Sequence, residues 1–203
     1  MIITDKYNYF HIPKTGGTKL RELFIKYSIK SNNLLVWQGT GIGEMHTQKV
    51  PTEYFDKRQT VMGFRKLPDL ILSHNVFFLR WTLEKGYDED LSALIKGESI
   101  KGNIYDFNNK DSLIKDRFRS VDTAYKTLLE MKDVSYIRQE YLLEDAYSFI
   151  KSICLDCDED ILKESKRVNG NNFPQPMLTN KDIKNMYKNN PLWTKKEKEL
   201  YES

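Results

Sequence analysis

The apolar and polar positions of this chain change period several times, and each change marks an element. Tyr7 to Ile12 alternate aromatic and apolar residues and stop at Pro13, which predicts a short buried strand. Beyond a glycine pair, Leu20, Leu23, Phe24 and Tyr27 recur at helical spacing with polar residues between, predicting an amphipathic helix over about 18–30. Leu34 to Trp37 reads as a second strand before a turn carrying Gly39, Gly41 and Gly43, and Thr60 to Phe64 as a third. Pro68 suits a first helical position, and residues 69–83 are apolar nearly all round, predicting a buried helix. Ile114, Phe118, Val121, Tyr125 and Leu128 form one stripe of a long helix. Val134 to Ile137 reads as a fourth strand and Tyr141 to Ile153 as a helix; the tail from Val168 is rich in Asn, Pro and Lys and ends in one or two short helices. Strands separated by helices predict an α/β fold around a parallel sheet.

Length and charge narrow the picture only a little. The 203 residues fit one domain, 1–203. Lys and Arg number 32 against 29 Asp and Glu, a balance that argues against a nucleic-acid partner but leaves room for a local basic pocket. No run approaches the ~20 apolar residues of a membrane span. Met1 to Lys6 lack the basic start and apolar run of a signal peptide, so a cytoplasmic protein is expected. Cys154 and Cys157 lack the two further ligands that tetrahedral zinc needs, and are read as incidental thiols; no metal is expected.

The chemistry concentrates where the first strand meets the first helix. Gly16 and Gly17 let backbone approach an anion closely, Thr18 is placed to cap the helix and donate a hydroxyl, and Lys14 adds a mobile charge. The Walker pattern G-x-x-x-x-G-K-[ST] does not fit: Ile12 stands five residues before Gly17, and Thr18 follows it instead of Lys. No candidate strand ends in the Asp that a Walker enzyme uses for magnesium.

Phe10-His11-Ile12-Pro13-Lys14-Thr15-Gly16-Gly17-Thr18 resembles the 5′-phosphosulfate loop of sulfotransferases that use 3′-phosphoadenosine 5′-phosphosulfate (PAPS), in particular the branch containing the heparan 2-O-sulfotransferases and related carbohydrate sulfotransferases. The resemblance implies a P-loop-like three-layer fold, with a mostly parallel sheet of about four to five strands flanked by helices. It assigns Lys14, Thr15, Gly16, Gly17, Thr18 and Lys19 to the donor, although the branch has Ser or Thr where this chain has Lys19. The family's second signature is an Arg at a strand end and a Ser eight residues later, which together hold the donor's 3′-phosphate; Arg65 and Ser73 have that spacing. Here the usual Arg-Asn-Pro run is replaced by Arg65-Lys66-Leu67-Pro68, and Leu70 stands where a second Arg is common. Tyr136 to Leu142 resembles the family's late strand and its turn into a helix, with Glu140 as a helix cap the plainer reading; Asn169 resembles a late loop Asn, with a turn the plainer reading.

Sulfuryl transfer to a hydroxyl also needs a base. His11 sits inside the loop motif and reads as a brace, and His74 as a core residue. His46, in Gly43-Glu44-Met45-His46-Thr47, is the expected general base, with Glu44 next and Lys14 stabilising the leaving group. The expected acceptor is a glycan hydroxyl, with Trp37, Trp81 and Tyr105 as aromatic candidates to stack on a sugar. Two other readings stand beside this one: a P-loop nucleotide kinase with a degenerate loop, and a non-catalytic nucleotide-binding protein of the same fold.

Overall fold

A computed structural model describes residues 2–4, 6–30, 34–37, 59–74, 121–153 and 178–202. The chain forms two compact units: residues 1–65 with 131–170, and residues 66–130 with 171–203.

The first unit is α/β. Its sheet contains β1 (Ile2–Thr4), β2 (Tyr7–Phe10), β3 (Leu34–Trp37), β4 (Gln59–Phe64) and β5 (Val134–Arg138), in the order β3-β1-β2-β4-β5. β2, β4 and β5 are parallel, with Phe10 beside Met62 and Met62 beside Tyr136, so all three end at one edge. β1 is antiparallel to both of its neighbours. Thr4 closes the β1–β2 turn: its hydroxyl donates to the Tyr7 carbonyl and accepts from the Tyr7 N–H, each at 2.9 Å.

Alternation along the strands decides what each face buries. Tyr7, Tyr9, Val61 and Ile137 share a core with helix α1 (Gly17–Lys30) through Leu20, Leu23, Phe24 and Tyr27. Ala146, Phe149 and Ile150 of a later helix join the same cluster. Phe149 stands edge-on to Tyr7 and Phe24, with ring centroids 5.6 and 5.9 Å away, the geometry that aromatic quadrupoles favour. The other face is buried as well, through Asn8, Phe10, Met62 and Phe64. Burial on both faces is why these strands read as nearly continuous apolar runs.

The second unit contains α2 (residues 67–74) and α3 (Val121–Leu129). In the first unit, β5 leads through a 3₁₀ turn (Gln139–Tyr141) into α4 (Leu142–Ile153). The second unit ends in α5 (Asn180–Asn189) and α6 (Pro191–Tyr201). The predicted stripe on α3 is realised in Val121, Tyr125 and Leu128, all buried, while Ile114 and Phe118 lie outside the described residues. Tyr125 departs from helical dihedrals (φ −121°, ψ 15°), so the helix is kinked there.

Buried caps hold this unit together. The Asp122 carboxylate accepts from the N–H groups of Leu192 (2.6 Å) and Trp193 (2.8 Å), the first that α6 can offer after Pro191. In return Asn190 Oδ1 accepts from the Asp122 N–H at 3.2 Å. Asp122→Ala is therefore expected to lower stability by about 2 kcal/mol, because it strips a cap and leaves buried N–H groups without an acceptor. Urea denaturation at constant m-value checks this, and a shift below ~0.5 kcal/mol would refute it. At the start of α2, Glu197 accepts the Leu67 N–H at 2.7 Å and the Tyr187 hydroxyl at 2.8 Å. Burial, with Glu197 beside it, pushes the Tyr187 hydroxyl above its ordinary range and keeps it a donor.

Among the described residues no helix is long and apolar enough to cross a membrane.

Candidate functional site: the loop between β2 and α1

The loop begins where β2 ends and crosses the C-terminal end of β4. In open α/β sheets this strand edge is where ligands bind. φ is positive at Lys14 (64°) and at Gly16 (81°), while Thr15 between them is not among the residues with positive φ. Alternating signs of this kind turn successive N–H groups toward one side and make a concavity suited to an anion. For Gly16 the conformation is easy; for Lys14 it costs about 1–2 kcal/mol, and surrounding contacts must hold it.

Three of those contacts can be named. Thr15 is fully buried, and its hydroxyl donates to the Ile12 carbonyl at 2.8 Å. Arg65, one residue beyond β4, donates from Nη1 to the Lys14 carbonyl at 3.1 Å. Gly63 lies directly beneath Thr15: a Cβ there would stand 2.8 Å from the Thr15 carbonyl oxygen and tighter still against Oγ1. On the far flank Gly16 packs against Gln139 of the turn that follows β5 and Leu142 at the start of α4. Behind the loop the His11 ring covers Gly17, where a Cβ would run into Nε2, so His11 does brace the loop. The Tyr9 hydroxyl donates to the Gly17 carbonyl at 3.4 Å, and burial pushes its pKa well above the ordinary value, so it remains a neutral donor.

The helix that follows has no acidic residue in its first turn, leaving its positive end uncompensated there. One sequence expectation changes. Thr18 is not the cap, because α1 begins at Gly17 and the Gly16 carbonyl accepts from the Leu20 N–H at 3.1 Å. The positive φ at Gly16 turns the chain into the helix one residue earlier than expected, and Thr18 is an exposed residue of the first turn. Lys19 lies 3.8 Å from Glu22, one turn along the same surface.

Lys14, Thr15, Gly16, Gly17 and Arg65 thus come together at one strand edge. Ser73 is a buried residue of α2 in the second unit, and its assignment beside Arg65 rests on sequence spacing alone. Leu67 and Leu70, at the start of α2, are both fully buried. His46, Glu44, Trp81, Tyr105, Asn169, Cys154 and Cys157 lie outside the described residues.

The end of β5 and the first turn of α4 carry a pair that the sequence pattern does not single out. Arg138 donates from Nε and Nη2 to the two carboxylate oxygens of Asp145, each at 2.8 Å, and its backbone N–H donates to the same carboxylate. Its guanidinium also lies 4.4 Å from the centroid of the Tyr141 ring. Asp145 therefore takes the N–H at the strand end. The only local signal was a carboxylate seven residues after an arginine.

No family model matches the chain, and neither does any curated protein or solved structure.

Proposed function

We propose that this protein is a PAPS-dependent sulfotransferase and that the β2–α1 loop receives the phosphosulfate end of the donor. The observation that carries the reading is the loop itself. Its φ signs alternate through Lys14, Thr15 and Gly16, ahead of a helix with no acid in its first turn and with the Arg65 guanidinium against its backbone. The three parallel strands that end beside this loop are what a P-loop-like fold presents at a nucleotide site.

In this reading the acceptor oxygen attacks sulfur in line while the bond from sulfur to the 5′-phosphate oxygen breaks. The products are a sulfate ester and adenosine 3′,5′-bisphosphate. Negative charge grows on the leaving phosphate, where Lys14 and the loop N–H groups stabilise it without reorganisation. His46 takes the acceptor's proton, with Glu44 as the other candidate base. Thr18 and Lys19 border the same anion, Arg65 adds charge for the 3′-phosphate, and the acceptor is a glycan hydroxyl.

The test is incubation with PAPS and a panel of glycan, lipid and phenolic acceptors, with release of the bisphosphate as the readout. Turnover is expected without added metal, and Lys14→Ala is expected to lower it by about 10²-fold. Absence of turnover together with absence of any thermal shift from the bisphosphate would overturn the assignment. Turnover that requires ATP and magnesium would replace it with a kinase.

A further inference from the structure

We propose that Arg65 is a positioning residue for Lys14: by holding the Lys14 carbonyl, its guanidinium keeps the anion loop in its bent form before any ligand arrives. This rests on the reading of the loop as a nucleotide site, and it adds to Arg65 a task distinct from touching the 3′-phosphate.

The geometry supports the task directly. Lys14 is one of two non-glycine residues with positive φ among the described residues, and Arg65 Nη1 meets its carbonyl at 3.1 Å from a position 51 residues away in the chain. A donor fixed at a strand end is a stiff anchor, because β4 is paired on both sides, with β2 and with β5. Gly63 on the same strand lets the loop settle close enough for the bond to form, through the tight approach of Thr15. One guanidinium carries five N–H donors in a planar fork and can serve more than one acceptor at once. Arg65 is then shared between the two ends of the donor, and the loop's shape and the 3′-phosphate's hold on Arg65 become coupled. A lysine would not reproduce this, since its three donors radiate from one mobile nitrogen and lack the separated nitrogens of a rigid planar fork.

The experiment separates this role from simple phosphate contact. Hydrogen exchange of the loop amides from Lys14 to Thr18 is measured without ligand in the wild type, Arg65→Gln and Arg65→Lys. Calorimetry then measures adenosine 5′-monophosphate and adenosine 3′,5′-bisphosphate on the same proteins. Positioning predicts faster loop exchange in both variants. It also predicts about tenfold weaker binding of the monophosphate, which has no 3′-phosphate for Arg65 to touch. Arg65→Lys, which keeps the charge, carries the test if Arg65→Gln does not fold. Unchanged loop exchange, or a loss confined to the bisphosphate, would overturn the proposal and leave Arg65 a plain phosphate ligand. If the wild type binds neither nucleotide while loop exchange still rises in the variants, the nucleotide reading fails and the positioning role stands.

Discussion

Gly63→Ala is expected to destabilise the protein by about 3 kcal/mol and to abolish the nucleotide binding proposed for the loop, although the same change at an open strand position would stabilise it by roughly 0.5–1 kcal/mol. The sign reverses because the new methyl would meet Thr15 twice, at its hydroxyl and at its carbonyl oxygen 2.8 Å away. A side chain can turn aside, but a backbone carbonyl moves only if the loop moves. Thr15 is fully buried and bonded to the Ile12 carbonyl, so the loop has little room to yield. Lifting it also separates the Lys14 carbonyl from Arg65 and releases the positive φ at Lys14. The Thr15→Ala/Gly63→Ala double variant isolates the backbone part of the clash: removing Oγ1 leaves the carbonyl contact in place, so no rescue is expected. Urea denaturation of the single and double variants decides the matter. A Gly63→Ala protein as stable as the wild type would mean that the loop does not rest on β4.

Gly63 was legible in principle. A glycine inside an apolar strand often marks close approach of another backbone, and Val61-Met62-Gly63-Phe64 is such a run. Arg65 stands out from the same run more readily, because the chemistry of a guanidinium is more visible than the absence of a Cβ. β2, β3, β4 and β5 were legible because each is a compact apolar or aromatic run bounded by Gly, Pro or polar residues. β1 was not legible: three residues, Ile2 to Thr4, are too few to show alternation. Its signal was a β-branched run followed by Asp5-Lys6 and a second strand pattern, which is how a hairpin begins. The Asp122 cap lay beyond any local pattern, since its partners are about 70 residues away in the chain. The loop's glycines and lysine announced anion chemistry, while the conformation that supports it depends on contacts from β4 and from the turn after β5.

Gly17→Ala is the companion case, and here rescue is expected. A Cβ at Gly17 would overlap His11 Nε2 and Cδ2, so the ring must leave its place. His11 is 8% exposed and stacks on Tyr9 at a centroid distance of 6.4 Å, which makes the displacement costly, about 2 kcal/mol. The obstacle is nevertheless a side chain and can be removed. In a His11→Ala background Gly17→Ala should cost less than ~0.5 kcal/mol, because alanine is the better helix former and the ring that supplies the three nearest atoms is gone. The cycle formed by wild type, both single variants and the double variant should show a coupling energy of about 2 kcal/mol. Additivity within ~0.5 kcal/mol would show that His11 and Gly17 do not share the space. The two glycines thus make opposite predictions from the same kind of contact. Gly63 meets backbone that only a displaced loop can clear, whereas Gly17 meets a ring that one substitution removes, so rescue at Gly17 and none at Gly63 is the pattern expected of a loop resting on β4 and braced by His11.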